Sequence, residues 1–333
     1  MSSVAIGRSD NPLPAISQKH AGVLCSPEQV VIVTGTQQAL GLIARATTRP
    51  GDAVWIEDPG YHGAVAAFRD AGARVVPVPV DGEGLEVAAG RRAAAAARAA
   101  YVTPAHQFPL GMAMSLRRRH DLLAWAQSAG AWIVEDDYDS EYRFGGQPLP
   151  SLQSIDRRHR VVLLGSFNKV LFSSLRIGYM VLPPALVDDI LRLRYITDRG
   201  VASLPQAVLT DFIDGGHLAR HIRKTRGLYA ERLSALREAV ARYLNGALHI
   251  PAIEAGLATP AFYNGTVLSR DIESAADARG VEALTLDRFG LLRPPPRGFL
   301  LGFAAFDTAA ISRHMQVFAT VLEQASGRAR RRH

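Results

Sequence analysis

The sequence predicts an α/β fold: a large, mostly parallel sheet flanked by helices, followed by a smaller C-terminal α/β unit. Three observations predict it. Short apolar runs alternate with helical patterns over the first two-thirds of the chain. Those runs are almost continuously apolar, as strands buried on both faces are. After Pro183 the alternation gives way to long helical patterns, and strand candidates return only near the C-terminus.

In chain order, "QVVIVTG" reads as a strand and "TQQALGLIARATT" as a helix. "DAVWIED" is the next strand and "YHGAVAAFRDAG" the next helix. "ARVVPVPV" is a strand, and the Ala/Arg tract from Glu86 to Ala100 is expected to be helical. "AAYVTP", "AWIVEDD", "RVVLLGSF" and "LRIGYMVLP" are further strands, with the helix "SLRRRHDLLAWAQSAG" between the first two. Gly51, Gly72 and Gly130 stand where turns should end elements. "PALVDDILRLRYITD" and "LPQAVLTDFIDGG" read as helices, and "HLARHIRKTRGLYAERLSALREAVARYL" as one long amphipathic helix bridging two lobes. "LLRPPPRG" is a stiff loop and "FLLGFAAF" a late strand. The expected organisation is an N-terminal segment at 1–25, a large domain at 26–215, a bridging helix at 216–244, a small domain at 245–326 and a basic tail at 327–333.

Composition narrows the function classes. Hydrophobic content of 48% and charged content of 21% are ordinary for a globular protein. The single cysteine, Cys25, allows no intrachain disulfide; "MSSVAIGRSDNPLP" has no long apolar core of a secretory signal, and no apolar run is long enough for a bilayer span. A cytoplasmic protein is expected. Net charge is +7, with four of the positive charges in the tail "GRARRRH", which reads as a solvated terminus or as a contact for nucleic acid or membrane.

Three stretches carry chemistry. In "TGTQQAL" (Thr34 to Leu40) a strand ends, a glycine turns, and a helix opens near Thr36. Helix N-terminal amides bind phosphate, and the same pattern also serves as a plain helix cap. In "WIVEDDYDSEY" an apolar strand runs into Glu135, Asp136, Asp137 and Tyr138. Acids at the carboxyl end of such a strand face a ligand cation or a metal, or form a polar rim. The third stretch is "VVLLGSFNKVLFSSLRIGYMVLP". The chain has three lysines, Lys19, Lys169 and Lys224, among 38 basic residues. Lys169 between two apolar runs is expected to be partly desolvated, the state in which an amine is a nucleophile for Schiff-base chemistry, or else to snorkel to the surface. Arginine cannot do this work, because guanidinium stays protonated. Ser166, Asn168 and Arg176 nearby suit a phosphate. A ligand with a phosphate, an aldehyde and a ring nitrogen that wants a carboxylate partner is pyridoxal 5′-phosphate.

On "SPEQVVIVTGTQQAL", "PGDAVWIEDPGYHGA", "VTPAHQFPLGMAMSLRRR", "AWIVEDDYDSEYRF" and "LLGSFNKVLFSSLRIGYMVLPP", the chain resembles fold-type I pyridoxal-phosphate-dependent aminotransferases. More closely, it resembles the aminotransferase-like domain of MocR-type regulators of the GntR superfamily. The resemblance implies that Lys169 bonds the cofactor aldehyde, Asp136 pairs with the pyridine nitrogen, and Tyr138 bonds the phenolic oxygen. It implies that Tyr61 stacks on the ring and that Thr36, Gln37, Ser166 and Arg176 hold the phosphate. Asn168 stands where the family has serine. His106 or Gln107, in "HQFPLG", approaches the ring edge, and Arg288 is the candidate for an amino acid's carboxylate. "LLGFAAF" has no arginine where aminotransferases carry their carboxylate-binding one. A homodimer and an amino acid or amine ligand are expected. DNA would be reached only through a winged-helix domain, for which the roughly 25 residues before the match are too few. The first reading is thus an effector-sensing domain, with a working aminotransferase and a non-binding remnant as the alternatives.

Overall fold

The computed structural model describes residues 23 and 25–330, except 147–149, 245 and 293. Most of the N-terminal segment and the last three residues of the basic tail lie outside the described residues.

Eight strands form the large sheet: β1 (Val30–Val33), β2 (Ala53–Asp58), β3 (Arg74–Asp81), β4 (Gly84–Leu85), β5 (Ala99–Val102), β6 (Trp132–Asp137), β7 (Val161–Ser166) and β8 (Gly178–Val181). Their order is β1-β8-β7-β6-β5-β2-β3-β4. The pairs β2–β3, β2–β5, β5–β6 and β6–β7 are parallel. β8 runs antiparallel to both β7 and β1, so β1 and β7 point the same way. The mostly parallel expectation therefore holds for the centre. The exceptions are β4, antiparallel to β3, and β8, where the chain turns back through the Lys169 segment and re-enters the sheet beside the strand it left.

One face of the sheet is covered by α1 (Thr36–Thr47), α2 (His62–Asp70) and α6 (Pro184–Thr197), which bury Leu40, Ile43, Phe68, Leu186 and Ile190 against β1, β2 and β7. The other face is covered by α3 (Val87–Ala94) and α4 (Leu116–Ala129). There Trp55 and Trp125 stack at 3.7 Å, and their indole N–H groups donate to the carbonyls of Ala94 and Ala95. A Cβ at Gly90 would lie 2.8 Å from the Trp55 ring, so α3 approaches this closely because it has glycine there. The helix expected from Glu86 to Ala100 ends at Ala94, since Ala99 and Ala100 are needed as fully buried rungs of β5. Ser115 caps α4 by accepting from the Arg118 amide, and left-handed Gly130 ends it.

After the short α5 (Leu152–Ile155) and α6 come α7 (Ser203–Asp214) and α8 (His217–Tyr243). At 27 residues α8 is about 40 Å long. Its first half packs Leu218 and Ile222 beside Tyr179 and Leu209, and its second half packs Leu233, Leu236 and Val240 under a second sheet. That sheet is antiparallel, in the order β11 (Leu284–Thr285), β12 (Gly298–Gly302), β10 (Ala258–Tyr263), β9 (Leu248–His249). It is backed by α9 (Ser269–Asp277) and α10 (Thr308–Arg330). Among the described residues no helix is long and apolar enough to cross a membrane.

Candidate functional site

β1, β2, β5, β6 and β7 deliver Thr34, Glu57, Thr103, Asp136 and Ser166 at or just past their carboxyl ends, along one edge of the large sheet. That is where open α/β sheets bind ligands.

One part of this edge is basic. Gly35 (φ +131°) lets the chain turn from β1 straight into α1, a conformation side-chain-bearing residues avoid. A Cβ there would lie 3.3 Å from both the Arg176 Nη2 and the Asn168 Nδ2. A guanidinium, an amide and the first-turn N–H groups of α1 thus converge on one small space. Asn168 is fixed there because its Oδ1 accepts from the Ile177 amide at 3.3 Å, while its own N–H donates to Ser166 Oγ at 3.2 Å. Thr36 opens α1 beside this space. Gln37 leans away: its Nε2 donates to the Gly63 carbonyl at 2.9 Å, and its Oε1 accepts from the Tyr61 hydroxyl at 3.4 Å.

Lys169 lies in the turn closed by the Leu171 amide donating to Phe167 O, one residue beyond Asn168. It is exposed. The desolvation expected from its apolar neighbours is not found, because β7 ends at Ser166 and the apolar side chains of the turn, Phe167 and Val170, point into the core.

The other part of the edge is acidic and buried. Asp136 Oδ2 accepts from the Tyr101 hydroxyl at 2.8 Å, with both residues in the core. Burial and the Asp136 charge push the Tyr101 phenol well above its ordinary range, so it stays a donor. Glu57, 1% exposed, accepts through Oε2 from the Thr103 amide (3.2 Å), Thr103 Oγ1 (2.7 Å) and Gln107 Nε2 (3.3 Å). Burial raises its carboxyl to about 7 despite those bonds, with a smaller push from Asp136. Gln107, expected at a ring edge, is instead a buried brace. Its Nε2 also donates to the Pro59 and Phe108 carbonyls, and its Oε1 accepts from the Leu110 amide. Hydrogen-bond demand from the loop backbone consumes the side chain.

Aromatic rings lie between the two parts. Tyr61 is half-buried and packs edge-on to Phe108 at 6.1 Å, and Phe108 packs edge-on to Tyr138 at 6.2 Å. Burial, then Asp136, raises the Tyr61 phenol. The Tyr138 hydroxyl donates to the His106 carbonyl at 2.9 Å and lies 3.1 Å from His106 Nδ1. Its phenol is pushed well above its ordinary range by burial, then by Asp139.

Arg288 has a carboxylate partner of its own. Its Nη2 is 2.7 Å from Glu273 Oε1 on α9, and Glu273 also accepts from Thr285 Oγ1. A buried carboxylate thus pairs with the guanidinium, whose side chain is otherwise largely exposed. The neighbouring Phe289 reaches the site, packing on Phe108 at 5.0 Å. Asp58 holds this segment by accepting from the Leu291 and Leu292 amides at 2.7 and 3.1 Å. Sequence reasoning passed over Tyr101, Glu57, Asp58, Phe108 and Asp139. The available signal was a tyrosine, and an acid pair in "EDPGYHG", at the carboxyl ends of strands already identified. Among the described residues no cluster of three or more His, Cys, Asp or Glu could hold a metal ion.

Residues 15–257 match the family model for aminotransferase class I and II. The chain is 42% identical over 286 residues, 86% of its length, to the probable rhizopine catabolism regulatory protein MocR of Rhizobium meliloti, and covers 58% of that protein. It is 34% identical to the 2-aminoadipate transaminase of Thermus thermophilus, covering 69% of this chain and 59% of that one. The chain thus spans somewhat under two-thirds of these relatives. Among solved structures it resembles LysN, the alpha-aminoadipate aminotransferase of Thermus thermophilus, complexed with N-(5′-phosphopyridoxyl)-L-leucine. The TM-score is 0.86 at 26% identity, over 98% of this chain and 84% of that one.

Proposed function

The chain belongs to the aminotransferase class I and II family, and on that premise we propose that it binds pyridoxal 5′-phosphate and senses an amino acid or amine as the effector domain of a MocR-type regulator. The observation that carries the cofactor reading is the convergence of Arg176, Asn168 and the α1 N-terminus on the space above Gly35. This cradle suits a phosphate in charge and donor number. The Tyr101-held carboxylate of Asp136 suits a protonated ring nitrogen, so the residues fit the group. The regulator reading is favoured over the enzyme by the higher identity to the MocR protein, 42% against 34%.

Bound there, pyridoxal phosphate supplies an aldehyde that captures amines and a ring that withdraws electrons. Thr36, Ser166, Asn168 and Arg176 would bind the phosphate, with Gln37 bracing Tyr61 beside it. Lys169 would bond the cofactor covalently, and its Nζ, once released, can hold or move a proton. Asp136 would keep a proton on the ring nitrogen, and Tyr101 keeps Asp136 in place. Tyr61 would cover a ring face and exclude water, and the Tyr138 hydroxyl would turn from the His106 carbonyl to donate to the phenolic oxygen. With Arg288 engaged by Glu273, the effector's carboxylate would need another cation.

The working form is a cytoplasmic homodimer. In a single copy Leu191, Tyr195 and Ile196 on α6 and Leu204 and Val208 on α7 are exposed, as is Phe172 close to Lys169. A second copy would cover apolar side chains such as these. DNA would be reached through a winged-helix domain of the whole regulator. The domain organisation expected from sequence remains part of this reading: a large cofactor domain, a bridging helix and a small domain.

The test is direct. The purified protein with added pyridoxal phosphate should develop a visible band, and borohydride should fix the label on Lys169. Lys169→Ala should show neither. No band in the wild type refutes the cofactor reading. Amino acids that change the band without releasing pyridoxamine phosphate support the sensor, and steady turnover supports the aminotransferase.

A further inference from the structure

Behind Tyr138 lies a buried pair with no role in the scheme above. His106 Nδ1 is 2.9 Å from Asp139 Oδ2, and the two residues are 5% and 1% exposed. A carboxylate only accepts, so the shared proton sits on Nδ1. The Tyr138 hydroxyl, 3.1 Å from that protonated nitrogen, is left to donate to the His106 carbonyl at 2.9 Å. Asp139 thus fixes the imidazole, and the imidazole with its own carbonyl fixes where the phenol points.

The far side of the same ring meets the segment that leads into the small sheet. A Cβ at Gly256 would lie 2.2 Å from His106 Cε1 and 2.7 Å from Nδ1, so only glycine leaves room. Gly256 takes φ +110° and donates its N–H to the Tyr142 carbonyl at 3.1 Å. Two residues earlier, Glu254 O accepts from the Phe144 amide at 2.6 Å. The segment leading into β10 is therefore bonded to the chain just past Tyr138 and abuts His106 as well. His106 Nε2 is buried with no hydrogen-bond partner among the described residues. A shift of the small sheet thus meets no bond on that side of the ring, only packing.

We propose that His106, oriented by Asp139, is a positioning residue that sets where the Tyr138 hydroxyl is held, and that its contact with Gly256 ties this setting to the seating of the small sheet. The consequence for a ligand rests on the cofactor reading, in which Tyr138 serves the phenolic oxygen. An amino compound that draws the small sheet inward would then be registered at the cofactor's chromophore through Gly256, His106 and Tyr138.

Two readouts test this. In protein loaded with pyridoxal phosphate, the pH midpoint of the visible band is measured for wild type, His106→Gln, Asp139→Asn, Tyr138→Phe and the double variants. His106→Gln should move the midpoint by about half a unit or more, roughly threefold in the proton equilibrium. It should add little once Tyr138 is Phe. Asp139→Asn keeps the volume and provides the same comparison if His106→Gln does not fold. Without cofactor, hydrogen exchange at the Gly256 amide should speed up about threefold in His106→Gln and stay unchanged in Tyr138→Phe. Unmoved midpoints, or shifts that add in full to that of Tyr138→Phe, overturn the proposal. A wild type with no visible band also overturns the role at the cofactor and places the fault in the cofactor reading. A band that ignores His106 places it in the His106 assignment.

Discussion

Replacing Glu57 with glutamine should make the protein more stable at alkaline pH and leave it nearly unchanged at acid pH. The three donors to this residue, the Thr103 amide, Thr103 Oγ1 and Gln107 Nε2, all bond Oε2, while Oε1 is buried with no hydrogen-bond partner among the described residues. A neutral carboxyl therefore carries its proton on Oε1, and a glutamine with its NH2 at that position copies the neutral form. Burial raises the carboxyl from 4.5 to about 7. The folded state thus binds a proton that the unfolded state has lost across that window. The stability this confers is full below about 4.5 and is lost as the pH rises through about 7. At 1.36 kcal/mol per unit, the wild type should lose about 2 to 3 kcal/mol relative to Glu57→Gln between about pH 5 and pH 8. Urea unfolding of both proteins across that range measures the difference. A difference flat with pH would refute the assignment of a neutral Glu57, and one growing toward acid would reverse its sign.

Other perturbations read other parts of the structure. Gly35→Ala places a methyl against Arg176 and Asn168 in a left-handed conformation, costing about 1 to 3 kcal/mol. It should weaken pyridoxal phosphate binding about tenfold, followed by absorbance titration. Arg119→Met should cost about 3 to 5 kcal/mol in urea unfolding, because the buried guanidinium bonds the carbonyls of Met114, Pro104 and Pro150 and sits 3.8 Å from Glu135. Arg288→Ala should cost under about 1 kcal/mol, since its side chain is largely exposed. It should leave the affinity for amino acids unchanged, and a tenfold loss would restore it as a carboxylate ligand.

The strands that carry the site were legible because their apolar runs stop abruptly at polar residues. "AWIVEDD" ends at Asp136 and Asp137 just as β6 does, and "QVVIVTG" delivers the Gly35 turn. Ser166, Asn168 and Arg176 were legible as neighbours for a related reason: they lie at the end of β7 and in the loop after it, where spacing bears directly on geometry. What spacing could not convey is pairing across the fold. Arg288 looked available in "TLDRFG" until Glu273, on another helix, appeared beside it. Gln107 looked like a ligand until its loop used every polar atom it has. Lys169 looked buried among apolar letters, yet those letters turn inward and leave it at the surface. Tyr101 was hidden by the opposite effect. A tyrosine in an apolar strand reads as packing, and only the β5–β6 register brings its hydroxyl to Asp136.

The division of charge along the sheet edge explains why one ligand class suits it. The cations Lys169 and Arg176 are exposed and stand on the loop between β7 and β8. The acids Glu57, Asp136, Asp137 and Asp139 are buried under the ends of β2 and β6. A buried carboxylate raises the proton affinity of its acidic neighbours, as Asp136 does for Glu57 and for the phenols of Tyr61 and Tyr101. A protonated ring nitrogen placed against Asp136 would relieve that repulsion, and a phosphate placed at Gly35 would neutralise Arg176. The two effects act on opposite ends of one molecule. Its binding should therefore lower the Glu57 carboxyl, and with it shrink the pH dependence that Glu57→Gln abolishes. Titrating stability against pH with and without pyridoxal phosphate would show the window narrowing, and an unchanged window would place the ring away from Asp136.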